Sequence, residues 1–258
     1  MAVSLLMVAV PFVWRSFETA VDCIHQSGCG ALFEPLYLRS VVNTLVISSA
    51  STLIALPLGL LAAYSACRSA RLDSWVSVIS TLGANFAGVP LALAFVLIFG
   101  VQGFVTTIIG HQALEPAGFA GLLLAYLCFQ WPLCTSLLID PLRQLDPHLK
   151  DAAASLGAGP KRYWMRVGLP LLMPSLIEVA MLLFANAAAA YATPFALAGT
   201  RANLLSVQIS TLVSGDLFAD PRLASLLSFV LFVILTLVLL LGRWSRASLA
   251  PTSQGLPK

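Results

Sequence analysis

The side chains best suited to chemistry in this chain gather between Leu149 and Pro170. Lys161, Arg162 and Arg166 place three permanent cations within six residues, a pattern that grips carboxylates or phosphates through charge-assisted hydrogen bonds. Asp151 precedes Ala152, Ala153 and Ala154, whose small side chains let another surface approach the backbone. Leu149, Tyr163, Trp164 and Met165 stand beside them as apolar anchors, and aromatic and Met side chains are enriched in interface cores. The chemistry this predicts is docking rather than bond-making. A second reading lays the same stretch on lipid headgroups, with Lys and Arg holding phosphates.

Other chemistries find no support in the residue pattern. A phosphate-cradling Gly-x4-Gly-Lys-Ser/Thr loop is missing, and Gly157 and Gly159 lead into Pro160 and Lys161 without that spacing. The chain is therefore not expected to hydrolyse nucleotide itself. Five cysteines form no CxxC pair and no zinc-spaced cluster with histidine, so neither a metal nor another cofactor is expected. His25, His111 and His148 all fall in loops, and no nucleophile-base constellation emerges; an enzyme is not predicted. Cys128 and Cys134 read as packing residues. Cys23 and Cys29 share a polar loop, and either pair in an oxidising compartment or remain thiols.

The elements that must position the loop are membrane helices. Of 258 residues, 59% are hydrophobic and 10% charged, against about 25% charged in soluble domains. Apolar runs long enough to span, about 20 residues each, cover 41–66, 76–100, 119–139, 171–198 and 223–242; a shorter run covers 2–14. The last reads either as the core of a signal peptide or, preferably, as a first span lacking its N-terminal half. The runs are continuous rather than alternating, which disfavours a barrel. The prediction is an all-α membrane protein of about six spans, a single transmembrane domain over 1–258. Ten cations (Arg68, Arg71, Arg143, Lys150, Lys161, Arg162, Arg166, Arg243, Arg246 and Lys258) fall in one set of loops, and Arg15, Arg39, Arg201 and Arg222 in the other. Basic residues mark the cytoplasmic side, so both termini and the loop at 140–170 are expected in the cytoplasm, with Cys23 and Cys29 outside.

Within the loop, Asp146 and Pro147 are a helix start, and a helix is expected to run to Leu156. Gly157 is the expected stop in a left-handed turn. A second short helix is expected from Pro160 to Val167, ended by Pro170. Within the spans, Glu178 is the one deeply placed ionisable residue; burying it in lipid costs about 2.5–3.5 kcal/mol, so it should face protein or water. At 3.6 residues per turn, Glu178, Asn186 and Thr193 are expected on one stripe, read either as a pathway lining or as interhelical polar contacts. Gln130 is expected to answer the carbonyl freed by Pro132, and Asn85 to play a similar structural part.

Asp151-Ala152-Ala153, then Gly157, then Val167-Gly168-Leu169-Pro170 resembles the "EAA" loop of ABC importer permeases, with Asp151 and Val167 where Glu and Ile are usual. The similarity extends to Arg39, Asn43-Thr44, Pro57, Gly59 and Ala62-Ala63-Tyr64, and to Pro90 and Pro132, covering about 39–242 with the loop at 146–170. The resemblance implies a type I importer permease fold in a bacterial inner membrane. It implies a coupling role toward an ATPase for Asp151, Ala152, Ala153, Gly157 and Leu169; Lys161 and Arg162, with Arg166, are added as ion-pair candidates for an acidic ATPase rim. It also implies partners: a cytoplasmic ATPase dimer, a second permease subunit and an external solute-binding protein, with no nucleic acid. The pathway candidates are Glu178, Asn186 and Thr193. Texture around Tyr191–Gly199 and Val213–Asp216 is similar to the polyamine, iron and thiamine group, with spermidine- or putrescine-like uptake favoured; acidic Glu18, Asp22, Glu34, Glu115, Asp216 and Asp220 outnumber the external cations. The alternative class is an ion-coupled secondary transporter, which needs paired broken helices or more intramembrane carboxylates than Glu178.

Overall fold

The computed structural model describes residues 18, 34–109, 114–214 and 220–249. The segment 2–14, the Cys23/Cys29 pair, His25 and His111 lie outside the described residues. Helices α1 (Pro35–Ala66), α2 (Ala70–Asn85), α3 (Val89–Phe99), α4 (Phe104–Ile109), α5 (Phe119–Arg143), α6 (Pro147–Ser155), α7 (Pro160–Tyr163), α8 (Leu169–Ala189), α9 (Ala192–Ala198), α10 (Leu205–Ser214) and α11 (Pro221–Leu249) follow in order. A π-turn, Trp164–Gly168, joins α7 to α8, and a 3₁₀ turn, Gly199–Ala202, follows α9. Among the described residues, five stretches are long and apolar enough to cross a membrane: Pro35–Ala66, Val89–Ile108, Phe119–Arg143, Pro160–Ala189 and Pro221–Ser245.

Three expected boundaries change. The run 76–100 is not one span. It divides at Gly88, whose φ is +79°, and Pro90 forbids the backbone there from continuing a helix begun upstream. The membrane-length stretch instead begins at Val89, and α2 stands apart as a more polar helix carrying Asp73, Ser74, Ser77, Ser80 and Thr81. The run 171–198 breaks after Ala189, so that α9 starts anew at Ala192. Finally, Pro170 does not end the second loop helix. Leu169 N–H donates to the Trp164 carbonyl, five residues back. This wider turn absorbs the misfit around a proline that lacks a donor, and the helix runs on through Ala189.

The described residues fall into two compact units. One draws on 34–50, 87–126 and 186–237, the other on 51–86, 127–185 and 238–249. Helix α1 contributes to both. Its buried face is a stripe of small side chains: Ser40, Thr44, Ser48, Ser51, Ala55, Gly59 and Ala63. Small residues at such spacing let helix backbones approach closely in a membrane, where burial of apolar surface gives no driving force. Ser40 and Thr44 hydroxyls donate back to the carbonyls of Tyr37 and Ser40 at 2.7 and 2.8 Å, so neither carries an unmet donor into the core. The opposite face carries Leu53 and Leu61, which are exposed as lipid-facing residues should be.

In the first unit, Tyr37, Leu205, Leu212, Ala224 and Leu227 form the core. Helix α9 packs against α3. In the second unit the core is Ala55, Ala63, Ala66, Cys134, Leu138, Leu142, Leu172, Leu176, Val179 and Leu183, drawn from α1, α5 and α8. Here Gly59 meets α5 so closely that a Cβ would lie 2.5 Å from Cys134 Sγ and 3.1 Å from the Thr135 backbone nitrogen.

Candidate functional site

The loop between α5 and α8 is built as its residues dictate. Asp146 accepts a hydrogen bond from the His148 backbone N–H at 2.9 Å, with Pro147 at the first helical position, where its missing donor costs nothing. Helix α6 ends in a Schellman arrangement. Ala158 N–H reaches the Ala153 carbonyl and Gly157 N–H the Ala154 carbonyl, both at 2.9 Å, and Gly157 holds φ +75° in the left-handed region that favours glycine. A Cβ on Gly157 would meet nothing within 4 Å, so the demand at this position is conformational and not steric. We expect Asp146→Ala to cost about 1 kcal/mol of local helix stability, read as faster amide exchange in α6 with unchanged protection in α5 and α8.

Two anchors attach this loop to the second unit. Tyr163 is buried. Trp164 meets Tyr64 of α1 edge-to-face at 5.0 Å between ring centres, and Arg68 lies 5.0 Å over the Tyr64 ring. Gly168 leaves room for the indole, since a Cβ there would sit 2.8 Å from the Trp164 ring. Tyr163 and Trp164 therefore turn inward and are not the partner-facing anchors expected from their residue types. The exposed apolar side chains are instead Leu156, at 88%, and Met165, at 65%, with Leu149 at 37%. In the sequence Leu156 reads only as the last residue of the helix begun at Pro147; its place just before a left-handed glycine is the signal that it projects at the tip.

Asp151, Ala152, Gly157, Lys161, Arg162 and Leu169 are exposed, and Ala153 is partly so. They lie on one continuous stretch of α6, the glycine turn and the start of the α7–α8 helix. Lys161, Arg162 and Arg166, with Gly159 and Met165, line a shallow open concavity of about 510 Å³. Beside the loop's entry, Arg143 at the end of α5 pairs with Asp73 of α2. Both are partly solvated, so this pair contributes at most about 1 kcal/mol.

The pathway candidates do not share one stripe. Glu178 and Asn186 are exposed on α8, whereas Thr193 lies beyond the helix break, buried on α9, where its hydroxyl accepts the Gly88 N–H at 2.8 Å. Gln130 does not answer the carbonyl freed by Pro132. It is fully buried, and its amide donates to Ser51 of α1 at 3.1 Å. Asn85 donates to the Thr81 carbonyl at 2.8 Å, a local contact within its own helix. Asn43 and Thr44 tie down the turn after α9: Asn43 donates to the Asn203 carbonyl at 3.3 Å, and Thr44 accepts the Leu205 N–H at 2.9 Å. Asn203 has φ +40°, and its side-chain oxygen accepts from Gln208 at 3.0 Å.

The family model described as "Binding-protein-dependent transport system inner membrane component" matches residues 55–252. The chain belongs to this family. The thiamine transport system permease protein ThiP of Escherichia coli is 32% identical over 156 residues, 58% of this chain and 29% of that protein. The chain thus spans less than a third of that relative's length. The probable transport system permease protein NifC of Clostridium pasteurianum is 24% identical across 91% of this chain and 85% of its own. In fold, the chain is similar to a bacterial ABC transporter involved in import of the acidic polysaccharide alginate, with TM-score 0.71 and 16% identity over 97% of this chain and 96% of that one. It is also similar to the MetNI methionine ABC transporter, with TM-score 0.60 and 18% identity over 84% and 97%. The family match takes in the whole loop, including α6, Gly157, α7 and Trp164.

Proposed function

We propose that this chain is the transmembrane permease subunit of an ATP-driven, binding-protein-dependent importer. Its partners are a cytoplasmic ATPase dimer, a second permease subunit and an external solute-binding protein. The loop at 146–170 faces the cytoplasm, as do both termini, and docks on the ATPase. One observation carries this reading: a capped helix bearing Asp151, Ala152 and Ala153 ends at an unobstructed left-handed Gly157 and is held to α1 through Trp164 and Tyr64. A docked helix so attached moves α1 and α8 when nucleotide moves the ATPase. Leu169, at the head of α8, is where such motion enters the span. Glu178 and Asn186, exposed on that same helix, are the candidates to line the route, with Thr193 supporting the α3–α9 contact.

For the solute we propose a small organic cation of the spermidine or putrescine type. The spermidine/putrescine permease PotC homolog of Mycoplasma genitalium is 24% identical over 60% of this chain, and the acidic excess in the loops opposite the coupling element suits a cationic cargo. The class is tested by crosslinking. A Leu156→Cys variant is expected to crosslink to the co-expressed ATPase in inverted membrane vesicles, and modification of that cysteine only from outside intact cells would overturn the topology. The solute is tested separately by calorimetry on the cognate binding protein, where tight spermidine binding is expected and binding of thiamine alone refutes the assignment.

A further inference from the structure

We infer that the concavity formed by Lys161, Arg162 and Arg166 binds the phosphate of an anionic phospholipid headgroup. The inference rests on the cytoplasmic placement of the loop proposed above. Three cations line one hollow together with Gly159 and Met165. All three are exposed, and among the described residues none has a carboxylate within ion-pairing distance. The nearest acidic residue in sequence, Asp151, lies on the far side of the glycine turn, and Arg143 already holds Asp73 and Asp140. The hollow therefore concentrates positive charge without internal compensation.

Its position selects the ligand. Lys161 and Arg162 belong to the first turn of the stretch Pro160–Ala189, which is itself long and apolar enough to cross the membrane. The cations thus sit at the loop end of a helix long enough to span, on the side from which the lipid surface is approached. Exposed apolar side chains at helical spacing follow them: Met165, Leu169 and Met173. A cationic hollow continuous with exposed apolar surface matches an amphiphile with an anionic head and acyl chains. An acidic protein rim answers the charge but leaves Leu169 and Met173 without a counterpart. Arg forks reach phosphate oxygens in pairs, and the anionic cytoplasmic leaflet supplies such lipids at high local concentration. Bound there, the lipid fixes the height of the α7 end of the loop relative to the membrane, while α6 and Leu156 stay free for a protein partner.

The test is retention of lipid by the full-length chain. Purified protein in neutral phosphatidylcholine nanodiscs is titrated with spin-labelled phosphatidylglycerol, and the immobilised fraction is measured. Each of Lys161→Gln, Arg162→Gln and Arg166→Gln is expected to weaken binding about fivefold, and all three together on the order of a hundredfold. The Arg162→Lys/Arg166→Lys double variant keeps the charge, and should retain most binding even if the triple variant folds poorly. Competition by inorganic phosphate at millimolar levels would show that the hollow takes a free anion, and overturns the lipid assignment. Equal immobilisation in wild type and triple variant overturns it as well. So does a triple variant that keeps its lipid but no longer co-purifies with the ATPase, which assigns the cations to an acidic rim. Because Leu156 crosslinking is scored independently, wild-type protein that crosslinks but does not immobilise phosphatidylglycerol rejects this site without touching the coupling role.

Discussion

Replacing Gly157 with alanine is expected to abolish most transport while leaving the protein inserted and folded. The residue sits at φ +75°, a conformation that costs a non-glycine residue about 1–2 kcal/mol. No neighbouring atom opposes the new methyl group, so the cost is paid by the turn alone. One or two kcal/mol shifts the population of the left-handed turn by a factor of about 5–30. Valine, branched at Cβ, should be worse than alanine. Asparagine, which tolerates the left-handed region, should recover much of the loss. The measurement pairs ATP-driven uptake in vesicles with ATPase activity of the assembled complex. The expected pattern is hydrolysis retained and uptake lost. Full uptake by Gly157→Val would remove the coupling role from this turn.

Gly59→Leu is expected to be severely damaging, and for an opposite reason. Here the constraint is contact. A Cβ would stand 2.5 Å from the Cys134 sulfur and 3.1 Å from the Thr135 backbone nitrogen, and the backbone atom has no rotamer through which to retreat. Overpacking a close-packed core costs about 1–3 kcal/mol for modest additions; a leucine forces α1 and α5 apart and undoes the contacts of Ala55 and Ala63 with Cys134 and Leu138. Gly59→Ala should lower the midpoint of thermal unfolding in detergent measurably, and Gly59→Leu should leave little folded protein in the membrane fraction. Cys134→Ala combined with Gly59→Ala relieves the sulfur contact but leaves the Cβ of residue 134, at 2.7 Å, and the Thr135 nitrogen in place, so rescue should be partial. Wild-type melting of Gly59→Leu would refute the close approach.

The contrast between these two glycines explains how far the sequence could be read. Gly157 was legible because its signal is local: Asp146 and Pro147 start a helix, alanines carry it, and glycine ends it, all through backbone groups within a few residues. Gly59 appeared in the sequence only as part of a resemblance. Nothing in its neighbourhood along the chain names Cys134 as the atom it must admit. The same division runs through the spans. Hydrophobic length located the membrane segments, but it merged α2 with α3, because a count of apolar residues does not see that Gly88 and Pro90 break the helix between them. It also let Pro170 terminate a helix that a π-turn carries through.

What the amino-acid order settled alone was class and local form: a helical membrane protein with one capped helix-glycine-helix loop, because solvent preference and backbone hydrogen bonding act over short stretches. Only the tertiary structure decided direction. It turned Tyr163 and Trp164 inward against Tyr64, left Leu156 and Met165 outside, gave Gln130 to Ser51 and Thr193 to Gly88. Which way a side chain points around its helix depends on segments far away in the chain, and packing between those segments is where that choice is made.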